Sequence, residues 1–147
     1  MSRAERAKEY FINGYNCSQA VALAFADLTG LDTNTLQKIA QPFGGGMGRM
    51  RLTCGAISGM ALVVGAVFGE DTLSQNGKKN TYSIMQTLCG KFKEECGSLI
   101  CGELLSGANV KVDIGGEAEA RTKEYYKKRP CAELVYLAAR ILEEYIR

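Results

Sequence analysis

The sequence predicts an all-α protein, a single-domain bundle of about six to eight helices around a glycine-rich central helix. Apolar residues recur at helical spacing along most of the chain. Capping side chains and glycines separate these apolar stripes, and the chain contains 17 glycines but only two prolines. A length of 147 residues fits one domain, and no repeat or linker divides it. We therefore treat residues 1–147 as one unit.

In the first half of the chain, four predicted helices begin at residues whose side chains can accept a hydrogen bond from the first helical turn. These predicted N-caps are Ser2, Asn16, Asp32 and Thr53. The first three helices should end at Gly14, at Gly30 and just before Pro42. A glycine-rich loop, PFGGGMGRMRL, then leads to the fourth helix, which is the central one.

The central helix requires a test for membrane insertion. Residues 52–69 carry no charge, and a stretch of about 18 residues is the lower limit for a membrane-spanning helix. Three polar residues and four glycines lower its hydrophobicity, so we interpret it as a buried helix and expect no membrane span. Gly55 and Gly59 lie four residues apart, as do Gly65 and Gly69. Either pair should let a neighbouring helix approach closely.

The second half continues the helical pattern. A polar loop, SQNGKKN, precedes a fifth helix from about Asn80 to Cys96, and a short sixth helix starts at Ser98 and ends near Gly107. The segment NVKVDIGG alternates apolar and polar residues, which indicates extended backbone too short to form a sheet. A polar helix, GEAEARTKEYYKK, then leads through Pro130 into the last helix.

Composition excludes several classes of function. The chain has no histidine, so it contains no Ser–His or Cys–His catalytic pair and no histidine metal ligand. A net charge of +2 without a long basic run gives no support for nucleic-acid binding. The N-terminus, MSRAERAKEYFINGYN, has neither the apolar run of a secretory signal nor paired arginines. We therefore expect a cytoplasmic protein.

Four of the six cysteines fall in the first turn of a predicted helix. These are Cys17, Cys54, Cys101 and Cys131. Free backbone N–H groups and the helix dipole favour thiolate there, so the pattern predicts lowered thiol pKa values. Cys17, Cys101 and Cys131 also continue apolar stripes and should point inward. In a reducing compartment such cysteines are typical of metal binding or redox activity, although a buried cysteine can also be simple packing.

The other two cysteines differ from these four. Cys89 lies inside an apolar helix face, where a thiol is ordinary packing. Cys96 stands at a predicted helix C-terminus, five residues before Cys101, and we keep it as an accessory candidate for disulfide exchange with that residue. No C-x-x-C pair is present, so spacing alone does not indicate a metal site.

The glycine loop supplies the remaining candidate site residues. Consecutive glycine N–H groups at Gly45 and Gly46 can form an anion-binding nest, to which Arg49 and Arg51 would add charge. The anion would be a thiolate sulfur or a bound cluster. The loop lacks the Lys-Ser/Thr of a phosphate-binding loop, and the alternative interpretation is a turn that lets helices pack closely.

The chain resembles the C_GCAxxG_C_C family of small redox-associated proteins. The resemblance rests on NCSQAV around Cys17, on CGAISG at residues 54–59, on GSLICGELL around Cys101, and on RPCAELVYLAARIL, which contains Cys131. It implies a bacterial or archaeal redox protein whose four defining cysteines are these residues. It also implies an iron–sulfur cluster, because a related domain accompanies haem in some cytochromes.

Three hypotheses for the function follow. The first is an electron-transfer module in which Cys17, Cys54, Cys101 and Cys131 ligate a metal centre, with an iron–sulfur cluster as first choice and zinc as second. The second is a metal-free thiol–disulfide protein, acting either as a carrier or as an enzyme. The third is a helical binding module with inert cysteines. An unidentified redox protein would be the partner in the first two, and the glycine-rich central helix is compatible with a homodimer.

Overall fold

A computed structural model describes residues 1–73 and 75–147, and within these ranges the all-α prediction is confirmed. The right-handed helices are α1 (Arg3–Ile12), α2 (Cys17–Leu23), α3 (Ala26–Thr29), α4 (Thr33–Ala40), α5 (Gly55–Phe68), α6 (Gln75–Cys96), α7 (Cys101–Gly107), α8 (Lys123–Lys128) and α9 (Cys131–Ile146). The described chain thus has nine helices, one more than the predicted range. The extra helix arises because fully buried Phe25 leaves helical geometry, at φ −118° and ψ 15°, and divides the predicted second helix.

Three of the four predicted N-caps are confirmed. The side chains of Ser2, Asn16 and Asp32 accept hydrogen bonds from backbone N–H groups three residues later, at 3.0, 3.0 and 2.8 Å. The prediction for Thr53 is wrong, because Cys54 is the N-cap of α5 and makes no side-chain capping bond. Thr53 instead pairs with Ile100 in an isolated antiparallel bridge.

Helix α5 is the glycine-rich helix, and it packs against several others. It contacts α2, α3, α4, α6 and α9, and its first half is almost completely buried. An added Cβ at Gly59 would lie 2.6 Å from the Ser18 carbonyl oxygen, and one at Gly55 would lie 3.1 Å from the Cys17 Cβ. The first predicted glycine pair therefore does allow close approach, and the neighbour is α2. No helix in the described part of the chain is long and apolar enough to cross a membrane.

The second predicted glycine pair is not a helix contact. An added Cβ at Gly65 would meet nothing within 4 Å, and one at Gly69 would meet only the backbone of Gly65. The reason is position, because the second half of α5 extends beyond α2 and exposes Gly65 to solvent. That part of the prediction is wrong.

Boundaries in the second half of the chain also differ from the prediction. Helix α6 begins at Gln75, so most of the predicted polar loop is helical with its polar side chains in solvent, while Ser74 lies outside the described residues. Helix α7 begins at Cys101, because the Ser98 hydroxyl accepts from the Ile100 N–H and donates to Glu103.

The long polar helix predicted over residues 116–128 is reduced to α8. Residues 109–122 form an irregular segment in which Gly115 and Gly116 adopt positive φ. The Gly115 N–H donates to the Arg49 carbonyl oxygen, and the Arg49 guanidinium donates to the Glu117 carbonyl oxygen. These long-range hydrogen bonds hold the segment against the glycine turn and replace helical ones.

Candidate redox site

The four cysteines at helix starts line one cavity of about 510 Å³. Three of them are the first residues of α2, α7 and α9, and the fourth is the N-cap of α5. Cys54 and Cys101 are buried, whereas Cys17 and Cys131 are half-buried. All are free thiols. The fold thus brings four cysteines from distant parts of the sequence to one place.

The backbone itself places two of these helix starts side by side. The Cys54 N–H donates to the Leu99 carbonyl oxygen at 2.8 Å, and the Cys101 N–H donates to the Leu52 carbonyl oxygen at 2.6 Å. This antiparallel pairing fixes the N-terminus of α5 against that of α7. Each bond also uses a backbone N–H that has no acceptor within its own helix, because it lies at the helix start.

Glycines bring backbone into contact with two of the cysteines. Gly55 lies against Cys17, and an added Cβ at Gly46 would lie 2.6 Å from the Cys101 Cβ. Gly46 also has φ +72°, a conformation that side chains strain. Any larger residue at Gly46 would therefore displace Cys101. The glycine following Cys54 and the glycine turn both serve close packing around the thiols.

The glycine loop forms a left-handed turn. Positive φ occurs at consecutive positions from Gly45 to Arg49 and again at Arg51, including three residues that are not glycine. The five N–H groups of residues 48–52 donate to carbonyl oxygens within residues 42–47. These five groups are therefore engaged within the loop, while the anion-binding nest at the Gly45 and Gly46 N–H groups stays a prediction. Gly45, Gly46, Arg49 and Arg51 all line the cavity.

Cys17 and Cys131 lie close enough for their side chains to interact. This interaction, helped by the charges of Arg129, Arg121 and Arg51, lowers the pKa of Cys131 although burial opposes it. The same interaction, together with burial, raises the pKa of Cys17 well above its ordinary value. Of the two, Cys131 therefore loses its proton more readily.

The other two cavity cysteines remain protonated. Burial raises the pKa of Cys54 to about 12. Burial also raises the pKa of Cys101, although Arg51 opposes the shift with its Nη1 3.7 Å from the Cys101 sulfur. The predicted lowering of thiol pKa at helix starts is therefore wrong for three of the four cysteines. At Cys17 the interaction with Cys131 and burial outweigh the helix dipole, and at Cys54 and Cys101 burial does so.

Four arginines and one carboxylate line the same cavity. The arginines are Arg49, Arg51, Arg121 and Arg129, and the carboxylate is Glu119. Glu119 is within ion-pair distance of both Arg49 and Arg129. Arg121 stacks on the aromatic rings of α1 and α8 and donates to the carbonyl oxygens of Phe11 and Tyr15. The cavity is strongly positive.

Arg121 and Glu119 were not predicted as site residues. Both belong to the segment whose sequence predicts a solvated helix, and Arg121 reaches acceptors more than 100 positions away in sequence. No local sequence pattern predicts such contacts. Cys89 and Cys96 do not line the cavity, and the Cys96 thiol donates instead to the carbonyl oxygens of Phe92 and Ser98. Disulfide exchange between Cys96 and Cys101 stays a prediction.

The four cavity cysteines have the right chemistry to bind a soft metal. Their spacing, however, does not suit a single metal ion. Cysteine sulfurs are the usual ligands of zinc and of iron–sulfur clusters. Over residues 1–73 and 75–147, however, no three cysteine, aspartate or glutamate side chains are placed to hold a metal ion. A single-ion site therefore has no support from the geometry, whereas four thiols lining one cavity still provide the ligand set of a cluster.

Fold and site together define a small helical protein with a cavity lined by four free cysteines. The chain belongs to the C_GCAxxG_C_C family, whose sequence profile, described as "Putative redox-active protein (C_GCAxxG_C_C)", matches residues 15–145. The resemblance in the four cysteine motifs is confirmed by that match. No curated protein and no solved structure matches the chain.

Proposed function

We propose that the protein is a thiol–disulfide redox protein whose working pair is Cys17 and Cys131. The observation that carries the proposal is that the two thiols interact with each other and line the same cavity. A disulfide between them would place their Cβ atoms about 3.5–4.5 Å apart. Both residues are half-buried, so a substrate can reach them.

The roles within the pair follow from their environment. Cys131 is the nucleophile, because thiolate is the reactive form and its pKa is lowered. It attacks one sulfur of a substrate disulfide and forms a mixed disulfide, while the other substrate sulfur leaves as a thiolate. Cys17 then loses its proton to the leaving thiolate and attacks the Cys131 sulfur. The second substrate thiolate leaves, and two electrons have passed from the protein to the substrate.

The surrounding residues support this exchange without joining it. Cys54, whose pKa burial raises to about 12, remains a thiol at neutral pH and does not compete as a nucleophile. Arg129 and Arg121 stabilise the Cys131 thiolate by their charge. Oxidation to the disulfide removes the Cys131 thiolate, so the arginines that stabilise this thiolate favour the reduced form of the pair.

The proposal is tested with single serine variants under anaerobic conditions. The fully reduced protein is mixed with bis(2-hydroxyethyl) disulfide, and loss of protein thiols is followed with time. Cys131→Ser should abolish fast exchange, and Cys17→Ser should accumulate a mixed disulfide at Cys131. Cys89→Ser is the matched control, since its half-buried thiol lies outside the cavity and should exchange like wild type. Unchanged exchange in Cys131→Ser would contradict the proposal.

A second candidate is an electron-transfer protein with an iron–sulfur cluster held by Cys17, Cys54, Cys101 and Cys131. The observation that favours it is the shared cavity, together with arginines that would offset the negative charge of a thiolate-ligated cluster. When bound, such a cluster would supply one-electron chemistry. Zinc at the same sulfurs would require them to move closer together than they stand in the described part of the chain.

Cys54 separates the two candidates. In the disulfide proposal Cys54 is not a working residue, so Cys54→Ser should retain exchange. In the cluster proposal Cys54 is a ligand, so Cys54→Ser should lose iron and sulfide. Anaerobically purified protein should be assayed for iron, zinc and acid-labile sulfide, and for absorbance between about 320 and 420 nm. Stoichiometric iron and sulfide that depend on Cys54 would favour the cluster over the pair.

A further inference from the structure

The charged residues that line the cavity indicate which substrates it can bind. We infer that the cavity takes small anionic disulfides, in particular dicarboxylates, as substrates of the proposed thiol exchange. The inference rests on the proposed function for the reaction and on the arginines for the choice of substrate. Nothing in the reaction itself requires a charged substrate.

Two of the cavity arginines have no carboxylate partner within the described residues. Arg51 is only 6% exposed, and its Nε donates to the Asp113 carbonyl oxygen at 2.9 Å. Its other recorded contact is the Cys101 sulfur. Arg121 binds carbonyl oxygens and aromatic rings. A buried guanidinium without a counter-charge is costly, and an anion in the cavity would lower that cost.

The other two cavity arginines share a single counter-charge. Glu119 contacts Arg129 and lies 3.6 Å from the Arg49 Nη1. The Arg49 Nε is buried and has no hydrogen-bond partner. The cavity therefore keeps an excess of positive charge even when Cys131 is a thiolate. Arg49 and Arg51 lie on the same glycine turn. Among the described residues, the Arg51 guanidinium lacks a carboxylate partner and the Arg49 Nε lacks a hydrogen-bond acceptor.

The size and placement of the cavity fit a small molecule. Its volume of about 510 Å³ lies within the range of about 300–1,000 Å³ that is typical of small-ligand sites. Cys17 and Cys131 line the same cavity as the arginines. A substrate held by its carboxylates would thus have its disulfide beside the nucleophile. Guanidinium groups recognise carboxylates well because their donors can bind both oxygens at once.

The test compares three disulfides of similar size and different charge. These are 3,3′-dithiodipropionate, bis(2-hydroxyethyl) disulfide and cystamine, which carry two negative charges, none and two positive charges. Second-order rate constants with the reduced full chain are divided by those of 2-mercaptoethanol at the same pH, which removes intrinsic reactivity. We expect the dianion to exceed the neutral disulfide by at least about tenfold and the dication to be slowest. The preference should shrink in 0.5 M salt. Equal ratios or the reverse order would overturn the inference.

Variants that change the charge of the cavity should shift the preference for the dianionic disulfide in a defined direction. Arg49→Gln should reduce the preference for the dianion about threefold or more, whereas Glu119→Gln should increase it, because it frees two arginines. Arg140→Gln is the matched control, since Arg140 is ion-paired with Glu95 and Glu144 and does not line the cavity. Its ratio should equal that of wild type. A Glu119→Gln variant with a weaker preference would count against the inference.

A non-reacting ligand separates failure of the inference from failure of the proposed function. Octanedioate has the chain length and charge of dithiodipropionate but no disulfide. Its binding to the wild-type chain, measured by calorimetry, should weaken in Arg49→Gln, with sulfate at equal ionic strength as the inorganic control. If no disulfide reacts but octanedioate binds, the exchange proposal fails and the anion site stands. No binding, or binding no better than sulfate, would overturn the assignment of a dicarboxylate site.

Discussion

Gly59 gives the sharpest prediction about the fold, because it sits where α5 meets α2. A Cβ added there would lie 2.6 Å from the Ser18 carbonyl oxygen and 3.0 Å from the Val21 Cβ. Favourable contacts between heavy atoms lie at about 3.5–4.0 Å, so Gly59→Ala requires the Ser18 carbonyl oxygen to move away by roughly 1 Å. The displaced residues lie directly after Cys17, so the substitution also disturbs the working pair.

The expected cost can be isolated with a matched variant. Overpacking a core contact costs about 1–3 kcal/mol, while alanine regains about 1 kcal/mol in helix propensity. Gly65→Ala on the same helix gains that propensity without a contact, because its added Cβ meets nothing within 4 Å. Gly65→Ala should therefore be as stable as wild type or slightly more stable. The difference between the two variants is then the packing term alone, about 1–3 kcal/mol.

The assay is urea unfolding followed by circular dichroism, with the free energy of unfolding extrapolated to water. A Gly59→Leu variant should lose more stability than Gly59→Ala, because its larger side chain cannot fit between α2 and α5. If Gly59→Ala and Gly65→Ala have equal stability, then α2 and α5 do not pack through Gly59, and the account of the CGAISG motif is incorrect.

The remaining predictions concern the glycine turn and the thiols. Gly46→Ala should destabilise the fold more than Gly48→Ala in the same unfolding assay. Both positions have positive φ, but only the Gly46 Cβ would clash, at 2.6 Å from the Cys101 Cβ; equal losses would show that strain alone matters. Alkylation of Cys131 by iodoacetamide should reach half its maximal rate at a lower pH than alkylation of a free cysteine, because its pKa is lowered. Burial raises the pKa of Cys89, so its profile should lie at higher pH, and coincident profiles would contradict the assignment of the nucleophile.

The fold could be predicted where the signals are local. The caps at Ser2, Asn16 and Asp32 depend on side chains that bond three residues further along, and such patterns are visible in the sequence. The break at Phe25 was missed because burial of its ring, a tertiary effect, decides it. The predicted polar helix failed for a similar reason, since Arg49 captures the Glu117 carbonyl oxygen from a distant part of the chain.

The site could be predicted only in part for the same physical reason. Helix starts identified the four cavity cysteines, because capping is local. Which two thiols interact depends on how α2 and α9 pack, so the interaction of Cys17 with Cys131 could not be predicted from local sequence. The direction of the pKa shift at Cys54 was predicted wrongly, because its burial is a property of the assembled bundle. Arg121 could not be predicted as a site residue, because its hydrogen-bond partners are far away in sequence.

The most direct test of the central claim is the disulfide that the reduced protein forms when it is oxidised. One equivalent of bis(2-hydroxyethyl) disulfide is added without oxygen, the remaining thiols are alkylated, and the linked peptides are identified by mass spectrometry. The account predicts a Cys17–Cys131 disulfide with Cys54 and Cys101 still reduced. A disulfide between Cys96 and Cys101, one that includes Cys54, or no intramolecular disulfide at all would contradict it.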